Sequence, residues 1–451
     1  MTSEHEPATA GADDAPTLDA ARVAEGGLEL IDEPGAFMEG LERLAAGEGP
    51  VAVDAERASG YRYSDRAYLI QIFRRGSGTL LLDPIALGTL VDVQAVIGDE
   101  EWILHAATQD LPCLRELGMD PARIFDTELA ARLLGFPRVG LGAVVEQVLG
   151  IELAKAHSAD DWSRRPLPDA WLAYAALNVE LLVDVRDDLA ERLTAQGKLD
   201  WAREEFDDIL RRPLGVKKDE PWRKYAGVRA RSPRNLAVAR EIWQARDELA
   251  RGSDTAPGRL VPDKSLAAVV QQLPRTKAQL AGMKDFQGRA SRSHIDRWWA
   301  SVERGLETSE LPSASAPGDR IPNHRSWESR HPEAHARLQA IRPVVAELAE
   351  QLEMPNENLL TPDHLRRLAW EPPADLSPEA VAAHLASSGA RPWQTAQVSA
   401  PLAAALIGAM LAEAGAPAAA ASGSAPRSGT HDTPRLVDTE QPDPRPEAPA
   451  S

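Results

Sequence analysis

The sequence predicts an α/β domain, with a mixed central sheet flanked by helices, followed by all-α modules. Three observations predict it. Short apolar runs alternate with helical stretches from residue 27 to about 135, the pattern turns wholly helical beyond residue 126, and the charge reverses sign near residue 210.

Taken in order, residues 1–26 are polar and rich in Ala, Asp and Glu, and are expected to be disordered. The runs LELI (28–31), VAVDAE (51–56), YLIQIF (68–73), TLLLD (79–83) and WILH (102–105) are short, apolar and rich in β-branched or aromatic residues, so they are expected as strands. AFMEGLERLA and LPCLRELG carry helical spacing, and a long helix is expected from about Asp169 to Leu193. RRPLGVKKDEPWRKY (211–225) is basic and contains prolines, as a linker would. The segments IWQARDELA…GRLVPDKSLAAVV (242–270) and IRPVVAELA…NLLTPDHLRRLA (341–369) form a weak internal repeat. Pro262-Asp263 and Pro362-Asp363 lie at equivalent points of it, each expected to open a helix. From about residue 415 Ala, Pro, Ser and Gly dominate, and the tail is expected to be disordered. The resulting division is 1–26, 27–208, a linker at 209–230, 231–308, a linker at 309–325, 326–412, and a tail at 413–451.

At 451 residues the chain is too long for one ordinary core. The single cysteine, Cys113, leaves no internal disulfide partner and fits a reducing, cytoplasmic setting; no secretion leader is read at the start. PLAAALIGAMLAEAGAPAAAA (401–421) is apolar, but its alanines, Glu413 and Pro417 favour a packed helix over a membrane span. The net charge of −19 hides a division. Residues 27–200 carry 16 Lys+Arg against 30 Asp+Glu, whereas residues 211–300 carry 20 against 9. An acidic segment suits divalent cations and a basic one suits phosphates.

The chemistry-bearing residues fall into three groups. Asp54 and Glu56 stand at i and i+2 of a strand, so both carboxylates project from one face. Adjacent anions repel unless a cation is shared, which suits them to a divalent metal, although Asp-x-Glu alone is commonly a solvated strand end. Asp110, in WILHAATQDL, follows a strand and begins a helix, where simple helix capping is the competing explanation; His105 before it is either a substrate contact or a satisfied core histidine. Tyr174 and Asn178 share a helix face at i and i+4. Between the second and third groups lies AHSADDWSRRPL (156–167), whose Arg164 and Arg165 are candidate phosphate contacts.

In this order Asp-x-Glu, HAATQDL, DWSRRPL and YAALN resemble the motifs of the ribonuclease D family within the DEDD exonuclease superfamily. The resemblance covers roughly residues 27–200, and the following modules resemble HRDC domains. It implies a ribonuclease H-like fold and hydrolysis at RNA 3′ ends, tRNA precursors included, with two divalent cations, Mg²⁺ or Mn²⁺. Carried over by position, Asp54, Glu56 and Asp110 are metal ligands and Tyr174 orients the attacking water. The family's fourth acidic ligand falls on Asn178, whose amide oxygen brings no charge, so metal affinity should drop. Glu180 lies about 200° around the helix from it and offers no direct rescue; with Asp184, Asp187 and Glu191 it is expected to form a solvated stripe.

The first module is net basic. Lys217, Lys218, Arg223, Lys224, Arg231 and Arg234 are its expected phosphate contacts, while Trp298 and Trp299 are expected to pack between helices. Residues 326–395 carry 6 Lys+Arg against 10 Asp+Glu, so no strong electrostatic footprint is expected there. No membrane partner is expected, and a monomer is favoured. Three functional readings follow: an exoribonuclease, an RNA-binding relative whose turnover is lost through Asn178, and a DNA-directed exonuclease.

Overall fold

The structure is a computed structural model that describes residues 17–18, 28–153, 157, 159–215, 219–227, 232–314 and 321–415. Most of the two segments expected to be disordered lies outside the described residues, as do Lys217, Lys218 and Arg231.

Six strands form the sheet: β1 (Leu30–Ile31), β2 (Glu48–Arg57), β3 (Ala67–Arg75), β4 (Gly78–Leu82), β5 (Glu101–Leu104) and β6 (Arg123–Asp126). Their order is β1-β4-β3-β2-β5-β6. The pairs β4–β3 and β3–β2 are antiparallel and the other three are parallel, so the sheet is mixed. Five strands lie at the runs singled out in the sequence. The sixth, β6, was not expected: its apolar content is only Ile124 and Phe125, too short for any period to register.

Strand β2 alternates cleanly. Val51, Val53 and Ala55 enter the main core, while Ala52 packs on the other face against Val179, Leu182 and Val183. Asp54 and Glu56 share that second face with Ala52. The helices flanking the sheet include α1 (Pro34–Ala46), α2 (Leu111–Glu116), α3 (Thr127–Leu133), α4 (Leu141–Leu149), α5 (Asp169–Glu180), α6 (Leu182–Ala195) and α7 (Leu199–Arg211). The single long helix expected from Asp169 is thus two, broken at Leu181. The apolar spacing runs through the junction, so nothing in the sequence marked it. Ala173, Ala175 and Ala176 are fully buried in α5, and side chains this small let the helix lie close to the sheet.

The first helical module contains α8 (Pro233–Gly252), the one-turn α9 (Pro257–Leu260), α10 (Asp263–Gln272) and α11 (Ile295–Glu307). It has its own core, built around Leu236, Ile242, Val269, Phe286, Trp298 and Val302, with Trp299 packed beside it. The second module repeats the order with α12 (Pro332–Gln351), the one-turn α13 (Asn356–Leu359) and α14 (Pro362–Trp370). It then adds α15 (Pro378–Ser387) and α16 (Pro392–Gly415). Asp263 and Asp363 both stand in first turns, and Thr361 caps α14 by accepting from His364 N. This module has no separate core: Leu338, Ile341, Leu368, Trp393 and Leu402 belong to one apolar cluster with Val53 and Ile72 of the sheet.

The seam is specific. Trp201 and Trp393 stack at 4.9 Å, and Glu205 Oε1 accepts from Trp393 Nε1 at 2.9 Å and from Arg391 Nε at 2.7 Å. The buried Lys198 ammonium donates to Leu133 O and Leu352 O, the carbonyls closing α3 and α12. A Cβ on Gly135 would stand 2.3 Å from Glu353 O, and its φ is +75°, so glycine is required there. Helix α16 is, among the described residues, the one helix long and apolar enough to cross a membrane. Its Trp393, Val398, Leu402 and Leu406 are buried against this seam, whereas Ile407, Met410 and Leu411 are exposed.

Candidate active site

Asp54 leaves the second face of β2 beneath α5. Its Oδ1 accepts from Ala55 N at 2.9 Å, and its Oδ2 accepts from Asn178 Nδ2 at 3.3 Å. The two strand carboxylates and the α5 face carrying Tyr174 and Asn178 therefore meet, as the resemblance implied. Burial raises the Asp54 carboxyl above its usual range. Burial, then the charges of Asp54 and Asp110, push Glu56 well above its own. Asp110 is raised well above its ordinary value by burial and by Asp54. Burial and the Glu56 charge raise the Tyr174 phenol, so it stays protonated at neutral pH.

Asp110 stands at the N-cap of α2, yet its carboxylate makes no capping hydrogen bond. The capping explanation therefore fails, and this buried carboxylate is directed to the acidic cluster instead. Arg57 provides the nearby positive charge: its Nη2 lies 3.6 Å from Asp110 Oδ1 and it also acts on Asp54 and Glu56. Among the described residues, no three His, Cys, Asp or Glu side chains close to metal-ligand geometry as they stand. The chemistry of the set nevertheless fits cations. One buried and two half-buried carboxylates with one arginine among them are under-compensated, and every donor is oxygen.

Residues missed in the sequence complete the surroundings. Arg57 directly follows Glu56. Asp126 ends β6 and accepts from Ala106 N, Ala107 N and Leu129 N, which fixes the turn leading to Asp110; an Asp before a helical run was the available signal. Gln71 pairs across the strands with Asp54, is fully buried, and has neither amide atom partnered. A polar residue inside YLIQIF was its signal. A cleft of about 400 Å³ opens beside Glu56 and Arg57, walled by Ser59, Gly60 and Tyr61 on one side and Asp160 on the other.

Several proposed nucleic-acid contacts have other occupations. His105 is a satisfied core histidine: Nδ1 meets Thr127 Oγ1 at 2.9 Å, and burial lowers its pKa to about 4. Arg165 is a structural tie, bidentate to Asp83 and bonded to the carbonyls of Tyr68 and Trp162, because a half-buried guanidinium needs such partners. Arg164 is exposed. Arg223 is held by Glu220 and Ser313 O, and Arg234 closes α11 through Gly305 O and Thr308 O. Lys224 is exposed but paired with Asp263. The exposed cations of this module without an ion-pair partner among the described residues include Lys264, Lys284 and Arg289. The acidic stripe on α5 and α6 is not simply solvated: Glu180 accepts from Thr79, and Asp184 and Asp187 hold Arg75. Glu180 thus faces the β3–β4 hairpin, not Asp54.

The first helical module grips the wall of the cleft. Arg259 Nε donates to Gly60 O, and its guanidinium lies 3.9 Å over the Tyr61 ring. Ala256 N donates to Tyr61 O, and Tyr63 Oη to Asp247 Oδ1.

Comparisons with known proteins give the family. A family described as 3′-5′ exonuclease matches residues 29–194, the HRDC domain matches 235–302, and the 3′ to 5′ exonuclease C-terminal domain matches 320–406. The last module therefore matches a C-terminal exonuclease family where a second HRDC-like domain had been expected. Ribonuclease D of Granulibacter bethesdensis is 31% identical over 304 residues, covering 65% of this chain and 73% of that protein. A solved protein from Bifidobacterium adolescentis is 39% identical with a TM-score of 0.74, covering 85% of this chain and 98% of that one. Escherichia coli RNase D, described as an exoribonuclease involved in structured RNA processing, is 25% identical with a TM-score of 0.62, covering 80% and 98%. With its acidic cluster, its mixed sheet and its helical modules in this order, the chain belongs to the ribonuclease D family of 3′→5′ exoribonucleases.

Proposed function

We propose that the protein trims the 3′ ends of structured RNA, tRNA precursors among them, at the cleft beside Glu56 and Arg57 of β2, with Asp54, Glu56, Asp110 and Asn178 holding two divalent cations. The observation that carries this reading is the convergence of the buried Asp110 and the half-buried Asp54 and Glu56, under-compensated, close to Tyr174. Bound Mg²⁺ or Mn²⁺ would supply charge neutralisation of the scissile phosphate and a more acidic attacking water. The chain's own residues do the rest. Tyr174, held protonated, donates a hydrogen bond that orients the attacking water. Arg57 offers its guanidinium to the terminal phosphate once Asp110 is engaged. The Gly60–Tyr61 wall limits the approach of the strand.

Asn178 sets the strength of the site. An aspartate there would place a second anion against Asp54; the amide instead donates to it. The cluster is therefore quieter without cations and holds them less tightly. The test is nucleotide release from a 3′-extended tRNA, a 5′-extended control and single-stranded DNA, with Mg²⁺ or Mn²⁺. Release from the RNA 3′ end alone is expected, abolished by chelator and by Asp54→Ala. Asn178→Asp should tighten metal binding by at least about 10–100-fold, the range typical of a group that only supports a ligand. Binding of the RNA without release by the parent, with release appearing only in Asn178→Asp, would transfer the assignment to a non-catalytic RNA-binding factor.

A further inference from the structure

The second helical module carries a net negative charge, yet two arginines flank the start of α12. Arg330 stands just before it and Arg337 lies in its N-terminal half, with Glu333 between them, whereas Glu347 and Glu350 lie toward its C-terminus. Arg330 and Arg337 therefore stand near the helix end that is already positive, where Glu333 is the one carboxylate of the first turn.

A cavity of about 350 Å³ opens there, lined by Arg330, His331, Glu333, Arg337 and Trp370. Three features point to what it takes. Arg337 is 9% exposed, its Nε donates to Ala369 O, and among the described residues no carboxylate lies within ion-pair distance of it. With Nε alone hydrogen-bonded, the remaining N–H groups of this cavity-lining guanidinium are available to an entering anion. The α12 N-terminus opens on Pro332, which has no N–H, and receives no side-chain cap from His331, which leaves the next first-turn N–H groups free to donate to an anion. Trp370 is half-buried in the wall, braced by Trp327 at 5.2 Å and by the edge of His331 at 4.7 Å, and offers an aromatic surface beside the cations.

We infer that this cavity is a second nucleotide site, in which Arg337, Arg330 and the α12 N-terminus hold a phosphate and Trp370 stacks its base. The inference goes beyond the hydrolytic cleft and rests on the RNA reading only for the class of ligand. The source of the nucleotide is either a unit of the RNA strand or a free nucleoside monophosphate such as the reaction releases.

The test uses the full chain in chelator, so that binding is read without turnover or metal. Titrations with a single-stranded RNA 12-mer, 5′-AMP, ribose 5-phosphate and inorganic phosphate are compared for the parent, Arg330→Ala, Trp370→Leu and Arg337→Met. Loss of RNA affinity of about 5–100-fold is expected for Trp370→Leu, the range for removing one stacked base. For Arg330→Ala the salt dependence should fall by about 0.7 in slope, one phosphate contact to a single strand. If the strand is the source, both changes appear with the 12-mer. If the source is the free nucleotide, 5′-AMP binds and responds to both variants while the 12-mer does not. Arg337→Met is read beside its thermal transition, and the exposed Arg330 serves where it fails to fold. Unchanged binding of both the 12-mer and 5′-AMP in Arg330→Ala and Trp370→Leu overturns the site. That outcome leaves the hydrolytic reading untouched, since Asp54→Ala and metal-dependent release test it separately.

Discussion

The two helical modules repeat one order of elements, a twenty-residue helix, a single turn, then a shorter helix opening on Pro-Asp, yet they relate to the nuclease domain in opposite ways. The first keeps a core of its own and meets the sheet domain through polar groups around Gly60–Ser64. The second has given up a separate core, and its tryptophan and its buried Glu205–Arg391 pair are shared with α7. One architecture thus serves as a docked arm and as part of a foundation. What decides between them is whether the apolar face closes on itself or on its neighbour.

That contrast can be broken most forcefully at its tryptophans. Trp393→Ala removes the stack on Trp201 and a hydrogen bond to Glu205, and should cost about 3–5 kcal/mol. The loss should appear in the transition that the nuclease domain shares with the second module. Trp298→Ala should cost a similar amount, about 3–5 kcal/mol, confined to the first module. Calorimetry or hydrogen exchange separates the two; a Trp298→Ala loss spread evenly over the sheet strands would contradict the arm description.

Acid sharpens the same contrast. The unfolded chain protonates His105 near pH 6.5, but the folded chain resists until about pH 4. The unfolded state therefore binds the extra proton, and the contribution of His105 to the shared unit falls by about 2–3 kcal/mol as pH drops from 6.5 toward 4. The first module responds later. Burial alone would raise the Asp263 carboxyl, but hydrogen bonds from Lys224, Arg246 and Tyr225 outweigh it and hold it at about 2, below the ordinary 3.8. Its contribution is intact above pH 3.8 and fades as pH falls toward 2. Melting curves collected between pH 7 and 3 should show this loss as the difference between the parent and His105→Gln, since protonation of the raised Asp54, Glu56 and Asp110 carboxyls acts in the opposite sense in both proteins.

The smallest effect belongs to the polar seam. Arg259→Ala removes a cation over Tyr61 and one hydrogen bond, which should cost under about 1 kcal/mol because the group is exposed. It should instead speed hydrogen exchange in residues 58–66, with little change elsewhere.

Much of this was legible in the sequence because it rests on local pattern. The alternation in VAVDAE placed Asp54 and Glu56 on one face, and the i,i+4 spacing placed Tyr174 beside Asn178. What stayed hidden depends on groups distant in the chain. Nothing near Arg165 foretells Asp83, eighty-two residues away, so a structural tie resembled a phosphate contact. Arg223 and Arg234 are spent on carbonyls supplied by later segments. The repeat was readable, but not that one copy would close its apolar face on α7. Strand β6 escaped because two apolar residues carry no period.

The most direct measurement is single-turnover release of the 3′-terminal nucleotide from a tailed RNA in Mn²⁺, comparing the parent, Asp54→Ala and Asn178→Asp at matched folding. The account predicts release by the parent, none by Asp54→Ala, and faster release at lower Mn²⁺ by Asn178→Asp. Equal release by the parent and Asp54→Ala would contradict it, because the chemistry would then reside outside the buried acidic cluster.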